Sequence, residues 1–234
     1  KGFLRLAQAL LSTDYKFIVV QRGVHMQNHS KIFAAVSLFS LLFASSSYAD
    51  DRVVREYSFD LAEINEVEFQ GSVGSMEFVQ TTGTELKIVL VIEGNDEGFF
   101  GGNRDVDDVE LESRVRNDRL VLELEEDDTT TEWTVQLPVV ATTNIHMGVG
   151  EIDGEFGDTE LNVELGVGEI DIEVPAATAG DIRVEVGVGD ANLRGADDER
   201  SDGAMMFQDK RGRGEGDKEI NVELGVGDAS VTLN

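Results

Sequence analysis

The sequence predicts an all-β fold, a β-solenoid of stacked rungs of about 20 residues with Gly-Val-Gly corners. Three observations carry that expectation. The phrase Gly-Val-Gly-acid returns four times, at Gly148–Glu151, Gly166–Glu169, Gly187–Asp190 and Gly225–Asp228. Strict apolar/polar alternation flanks the copies. No stretch carries a helical period with caps.

The second copy shows the pattern best. Leu161, Val163 and Leu165 alternate with polar residues before the motif, and Ile170, Ile172 and Val174 do so after it. Period two with aliphatic residues is a half-buried strand. The third copy gives Ile182, Val184 and Val186, then Ala191 and Leu193; the fourth gives Ile220, Val222 and Leu224, then Ala229, Val231 and Leu233. The first is looser, with Ile145, Met147, Ile152 and Phe156. The first glycines stand 18, 21 and 38 residues apart. A near-constant period of this length marks units too small to bury their own face. The longest interval is one unit plus an insertion, residues 195–217. Each rung then reads as strand, glycine corner, strand, with the valine turned inward. An antiparallel sandwich with similar turns is the alternative, and it suits same-phrase turns at near-constant spacing less well.

Runs such as Val163-Glu164-Leu165-Gly166-Val167-Gly168-Glu169-Ile170 and Val222-Glu223-Leu224-Gly225-Val226-Gly227-Asp228-Ala229 resemble the toastrack-type, adhesin-like domains of bacterial envelope proteins. The likeness spans about Tyr57 to Asn234 and is strongest from Thr142 onward. It implies a β-solenoid fold and an exported, envelope-linked protein. The family's function is unknown, and it supplies no catalytic residue to carry over.

In chain order, residues 1–25 precede the first methionine and show little pattern; they read as an upstream extension outside the fold. Residues 26–49 have the three regions of a secretory signal peptide: Lys31, an apolar run from Ile32 to Ala44, and small residues at Ser47 and Ala49. That run is too short to prefer a membrane span. Translation is expected to begin at Met26 and cleavage to fall after Ala49, so N-terminal sequencing of the exported protein should read from Asp50. A mature chain that retains Lys1 to His25 would defeat this expectation. No transmembrane segment is expected after the cut, and residues 50–234 read as a single adhesin-like domain.

Arg52 to Leu61 reads as an opening strand. Val67, Phe69, Met76 and Phe78 surround Gly71-Ser72-Val73-Gly74, a degenerate cousin of the motif. Leu86 to Ile92 is a nearly continuous apolar run, expected to be buried on both faces. Residues 93–108 form a loop rich in glycine, asparagine and aspartate. Val109 to Val115 and Arg119 to Leu124 pair through Asn117-Asp118, and Trp133, Val135 and Leu137 alternate up to Pro138.

Charge and composition narrow the chemistry. The chain has 19 basic and 47 acidic residues and no cysteine. Residues 50–234 hold 14 of the basic and 46 of the acidic ones. Such a surface repels nucleic acid and anionic lipid, and favours cations and basic partners. Disulfides are excluded although export would permit them. Within residues 50–234 the only histidine is His146, on an outward strand position, so no Ser-His-Asp or Cys-His site is expected. The dinucleotide fingerprint fails because Asp153, Asp171, Asn192 and Ser230 occupy the third glycine's place. Calcium is the better chemical rival. The motif is similar to the Gly-Gly-x-Gly-x-Asp β-roll at twice the period, which makes Glu151, Glu169, Asp190 and Asp228 the candidate metal ligands. Asn103 to Asp108 imitates the start of a calcium loop without its glycine.

The insertion carries the partner-binding candidates: the apolar triplet Met205, Met206 and Phe207, then the basic residues Lys210, Arg211 and Arg213. The rival reading is a loop folded back, its bases neutralised by the acidic surface. The sequence therefore points to an exported, non-enzymatic module of the periplasm or cell surface. Its expected partners are an envelope protein or further copies joined through strand edges, the last strand, Asp228 to Leu233, being expected to leave its edge open, and no cofactor is expected. An acidic calcium-binding module is the alternative. A carbohydrate-active β-helix enzyme is disfavoured in so short a chain.

Overall fold

A computed structural model describes residues 52–95, 105–204 and 207–234. Residues 1–49, expected to be an upstream extension and a signal peptide, the first two residues of the calcium-loop imitation, Asn103 and Arg104, and Met205 and Met206 lie outside these residues. The described residues form strands without a helix: β1 (Arg52–Asp60), β2 (Glu66–Thr81), β3 (Glu85–Gly94), β4 (Glu112–Arg116), β5 (Arg119–Leu124), β6 (Thr129–Pro138), β7 (Thr142–Glu155), β8 (Glu160–Val174), β9 (Ala179–Arg194), β10 (Asp197–Ala204), β11 (Phe207–Arg213) and β12 (Lys218–Leu233). All belong to one open sheet, ordered β1-β3-β6-β2-β7-β8-β12-β9-β11-β10; β5 pairs with β2, and β4 with β5.

The centre of the sheet is β2, β7, β8, β12 and β9, parallel and in register. The motifs align across it. Gly150 pairs with Gly74 and Gly168, and Gly227 with Gly168 and Gly189. The degenerate Gly71-Ser72-Val73-Gly74 is thus a full member of the array. Each motif lies inside one continuous strand, and the strand changes phase there. Leu165 and Ile170 are both buried, as are Met147 and Ile152, or Leu224 and Ala229. Residues five apart on an unbroken pleat would face opposite ways. The second glycine makes the switch, with φ of 149° at Gly150, 145° at Gly168 and 136° at Gly227. Glycine alone adopts this region readily. Stacking demands it too: a Cβ on Gly168 would sit 1.7 Å from the Gly150 carbonyl oxygen, and one on Gly227 would sit 1.8 Å from that of Gly168.

Four sequence expectations change. The valine between the glycines faces outward, because the phase change turns it away from the core; Val167 is 46% exposed. The last strand is not an open edge. β12 lies between β8 and β9, paired on both sides, and the Asn234 carbonyl accepts from Ala176 N–H at 2.9 Å. Among the described residues, the strands paired on one side only are β1, β4 and β10. In β3, Leu86, Ile88, Leu90 and Ile92 are buried while Val89 is 38% exposed, so the apolar run covers one face only. Finally, the insertion is a β-hairpin of β10 and β11, with β11 antiparallel to β9.

The inward residues of all the central strands meet in one hydrophobic cluster. At the β1 side, Val106, Val109 and Leu111 join the cluster. Leu111 N–H donates to the Tyr57 hydroxyl at 3.1 Å, and Arg55 donates to the carbonyls of Asp107 and Val109.

Candidate functional site

In-register stacking places equivalent outward residues in ladders, about 4.8 Å apart. The first is Asn144, Asn162, Asn221 and Arg183, in that spatial order because β12 intervenes. Asn162 Nδ2 donates to Asn144 Oδ1 at 2.9 Å, and Asn221 Nδ2 to Asn162 Oδ1 at 3.2 Å. Asn144 Nδ2 in turn donates to Glu66 Oε1 at 2.8 Å. A side-chain amide carries both donor and acceptor, so it can pass a hydrogen bond along the stack. Arg183 ends the run and turns to Glu185 and Asp209.

The second ladder is His146, Glu164, Glu223 and Glu185. His146 Nδ1 lies 3.2 Å from Glu164 Oε2, and Nε2 lies 4.0 Å from Glu68 Oε1. Glu68 is buried, paired with Arg119 and hydrogen-bonded by Gln70. No local signal marks that pair in the sequence, since it depends on β5 lying beside β2.

The third ladder brings together the candidate metal ligands Glu151, Glu169, Asp228 and Asp190, one per strand. Two of them already accept hydrogen bonds. Asp228 Oδ1 takes Asp190 N–H at 3.1 Å, and Asp190 Oδ1 takes Gln208 Nε2 at 3.0 Å. Among the described residues, no three acids or histidines are grouped as a metal ion would need. Beside this ladder, burial raises the pKa of Asp153, helped by the charges of Glu151, Asp171, Glu169 and Glu77.

The insertion hairpin holds the other candidates. Phe207 is 46% exposed. The Arg211 guanidinium donates to buried Asp209, with Nη2 at 2.6 Å from Oδ2, and Arg183 joins it at 3.2 Å. Arg211 leads, with Arg183, in holding the Asp209 carboxyl below its usual range. Arg213 pairs with Asp181, and Lys210 is half-buried. The basic cluster is therefore largely an ion-pair network that docks the hairpin on β9. Gln208 adds a backbone mimic: its Oε1 accepts Ala191 N–H at 3.0 Å, and its Nε2 donates to the Gly189 carbonyl at 2.9 Å.

A shallow groove of about 510 Å³ runs along the first-glycine line, past Gly148, Gly166, Gly225 and Gly187, with Phe207 at its border. No protein-family model and no curated protein matches the sequence. Among solved structures, a candidate cell adhesion protein from Clostridium sporogenes is 15% identical, with a TM-score of 0.49 over 78% of this chain and 100% of its own. A candidate adhesin from Bacteroides fragilis is 12% identical, with a TM-score of 0.29 over 77% of this chain and 96% of its own. With TM-scores below 0.5, the functional reading rests on this chain's own residues. No helix of the described residues is long and apolar enough to cross a membrane.

The exposed valines and the buried pairs Glu68–Arg119 and Asp209–Arg211 were not marked out by motif. The valines had a signal: the inward positions Leu165 and Ile170 stand an odd number of positions, five, apart.

Proposed function

We propose that this chain is an exported, non-enzymatic interaction module of the cell envelope, built as a β-solenoid whose coils bend at the Gly-Val-Gly motifs. One observation carries the architecture. β7 has 14 residues and β8 pairs with it in parallel, Glu160 beside Thr142. Only residues 156–159 link them. A straight β7 would be about 46 Å long, whereas the link reaches about 18 Å. Straight parallel neighbours need a crossover of a dozen residues or more. The strand must therefore double back on itself, and the phase change at Gly150 is where it can.

Such a stack presents long outward ladders, the form of surface that repeat proteins use for binding partners. Affinity capture from an envelope extract with the full chain tests the reading. A stoichiometric envelope protein is expected. Polysaccharide cleavage that is lost on substituting a single outward acid would replace the module with an enzyme.

A cation-binding role is favoured by one group, Asp153. Its raised pKa means that the folded state takes up a proton more readily than the unfolded chain. The ionised carboxyl therefore costs stability at neutral pH, and the cost fades as pH falls toward the raised value. Melting temperature is expected to rise from pH 7.5 to 5, or on adding millimolar calcium at pH 7.5. Asp153→Asn should capture part of that gain at pH 7.5 and blunt the response. A rise with matched sodium chloride alone would make calcium one counterion among many.

A further inference from the structure

The middle valine of every motif is exposed: Val73 39%, Val149 47%, Val167 46%, Val226 46% and Val188 48%. Register aligns them into one unbroken line across β2, β7, β8, β12 and β9. At strand spacing the line is about 19 Å long. The stacking geometry explains the glycines on either side of the other four valines and Gly74 after Val73, since a Cβ there would strike the neighbouring strand's backbone; Ser72 stands before Val73. It does not explain the valines, whose side chains point to solvent. Threonine would serve the β conformation equally well and would be soluble, yet all five positions are valine.

The line has an electrostatic frame. Three residues before each of four valines stand His146, Glu164, Glu223 and Glu185; two residues after stand Glu151, Glu169, Asp228 and Asp190. An apolar ridge between two largely acidic ladders selects its occupant by charge complementarity. We infer that the valine ridge is the docking surface for a basic amphipathic segment of a partner protein, its apolar stripe on Val149, Val167 and Val226 and its lysines or arginines over the flanking carboxylates. A second copy of this chain would bring the same acids to the same ladders, so it is repelled. The ridge length matches about 13 residues of helix. This inference deepens the interaction-module reading and rests on it.

The test measures binding of three probes to the full chain by calorimetry: a 14-residue leucine/lysine amphipathic peptide, an oligolysine of equal charge, and a glucosamine hexamer. The amphipathic peptide is expected to bind at least tenfold more tightly than either other probe. A triple variant, Val149→Thr with Val167→Thr and Val226→Thr, should lose at least tenfold in peptide affinity while melting within a few degrees of the parent. Val167→Lys, a single exposed change, should weaken the peptide similarly if the triple variant folds poorly. Equal binding of oligolysine, equal binding of the sugar, or undiminished binding by a folded ridge variant would each overturn the proposal. An envelope protein captured equally by parent and triple variant would also overturn the ridge, while leaving the interaction-module reading intact.

Discussion

Gly168→Val is expected to leave little folded protein. Two effects coincide at this residue. Its φ of 145° is one that a β-branched side chain resists, at about 1–3 kcal/mol for the strained backbone. The added Cβ would also lie 1.7 Å from the Gly150 carbonyl oxygen. A backbone oxygen in a paired strand cannot rotate away, so relief requires β7 and β8 to separate. A combined loss above about 4 kcal/mol is in the exceptional class for a point change and rivals the whole stability of many domains. Gly189→Val should behave alike, since its Cβ would meet the Gly227 oxygen at 1.8 Å. Gly83 separates the two effects: its φ is 101°, yet nothing lies within 4 Å of its Cβ position. Gly83→Ala should therefore show the backbone strain alone. Denaturant unfolding followed by the fluorescence of buried Trp133 measures all three. A Gly168→Val protein that unfolds at the parental midpoint would mean that β7 and β8 are not held at this spacing.

Much of this fold was legible because each central strand repeats one local rule. Alternation located the strands, and the glycine phrase located their change of phase. Three features were hidden for different reasons. The placing of β12 between β8 and β9 could not be read, because strands of such similar sequence can pair with one another in more than one order. The order follows from the hairpin: β11 occupies the outer side of β9, leaving the inner side for β12. The valines were expected inward because Val167 continues the parity of Leu161, Val163 and Leu165; the phase is lost at the motif itself, so that parity misleads there. Buried Asp209 and Glu68 look like ordinary surface acids in sequence; Arg211 is a local partner of Asp209, two residues along β11, whereas Arg183 and Arg119 reach these acids only through long-range pairing. The members of each ladder follow from equivalent positions in the repeated phrase; their spatial order does not, because β12 lies between β8 and β9.

On β7 the core departs from the repeat near its end. At the level where β8 carries Ile172, β7 carries Gly154. The space that a side chain would take is filled by aromatic rings. Phe78 is buried, stands edge-on to Phe69 with centroids 5.1 Å apart, and lies 5.3 Å from the Phe156 ring. A Cβ on Gly154 would come within 2.6 Å of the Phe156 ring and 2.9 Å of Phe78 Cβ. No positive φ is involved there, so the glycine serves packing alone. Phe78→Ala is expected to cost about 3–5 kcal/mol, the transfer loss plus an unfilled cavity. Phe78→Leu should cost much less, because it restores most of the volume. Gly154→Ala alone should destabilise by overpacking, typically about 1–3 kcal/mol. In the Phe78→Ala background the Phe156 ring can swing into the vacated space, so part of that overpacking should vanish. A double-mutant cycle by denaturant unfolding is expected to show coupling of about 0.5–3 kcal/mol between the two sites. Strict additivity would mean that Gly154 is not making room for the rings, and that β7 is loosely packed there.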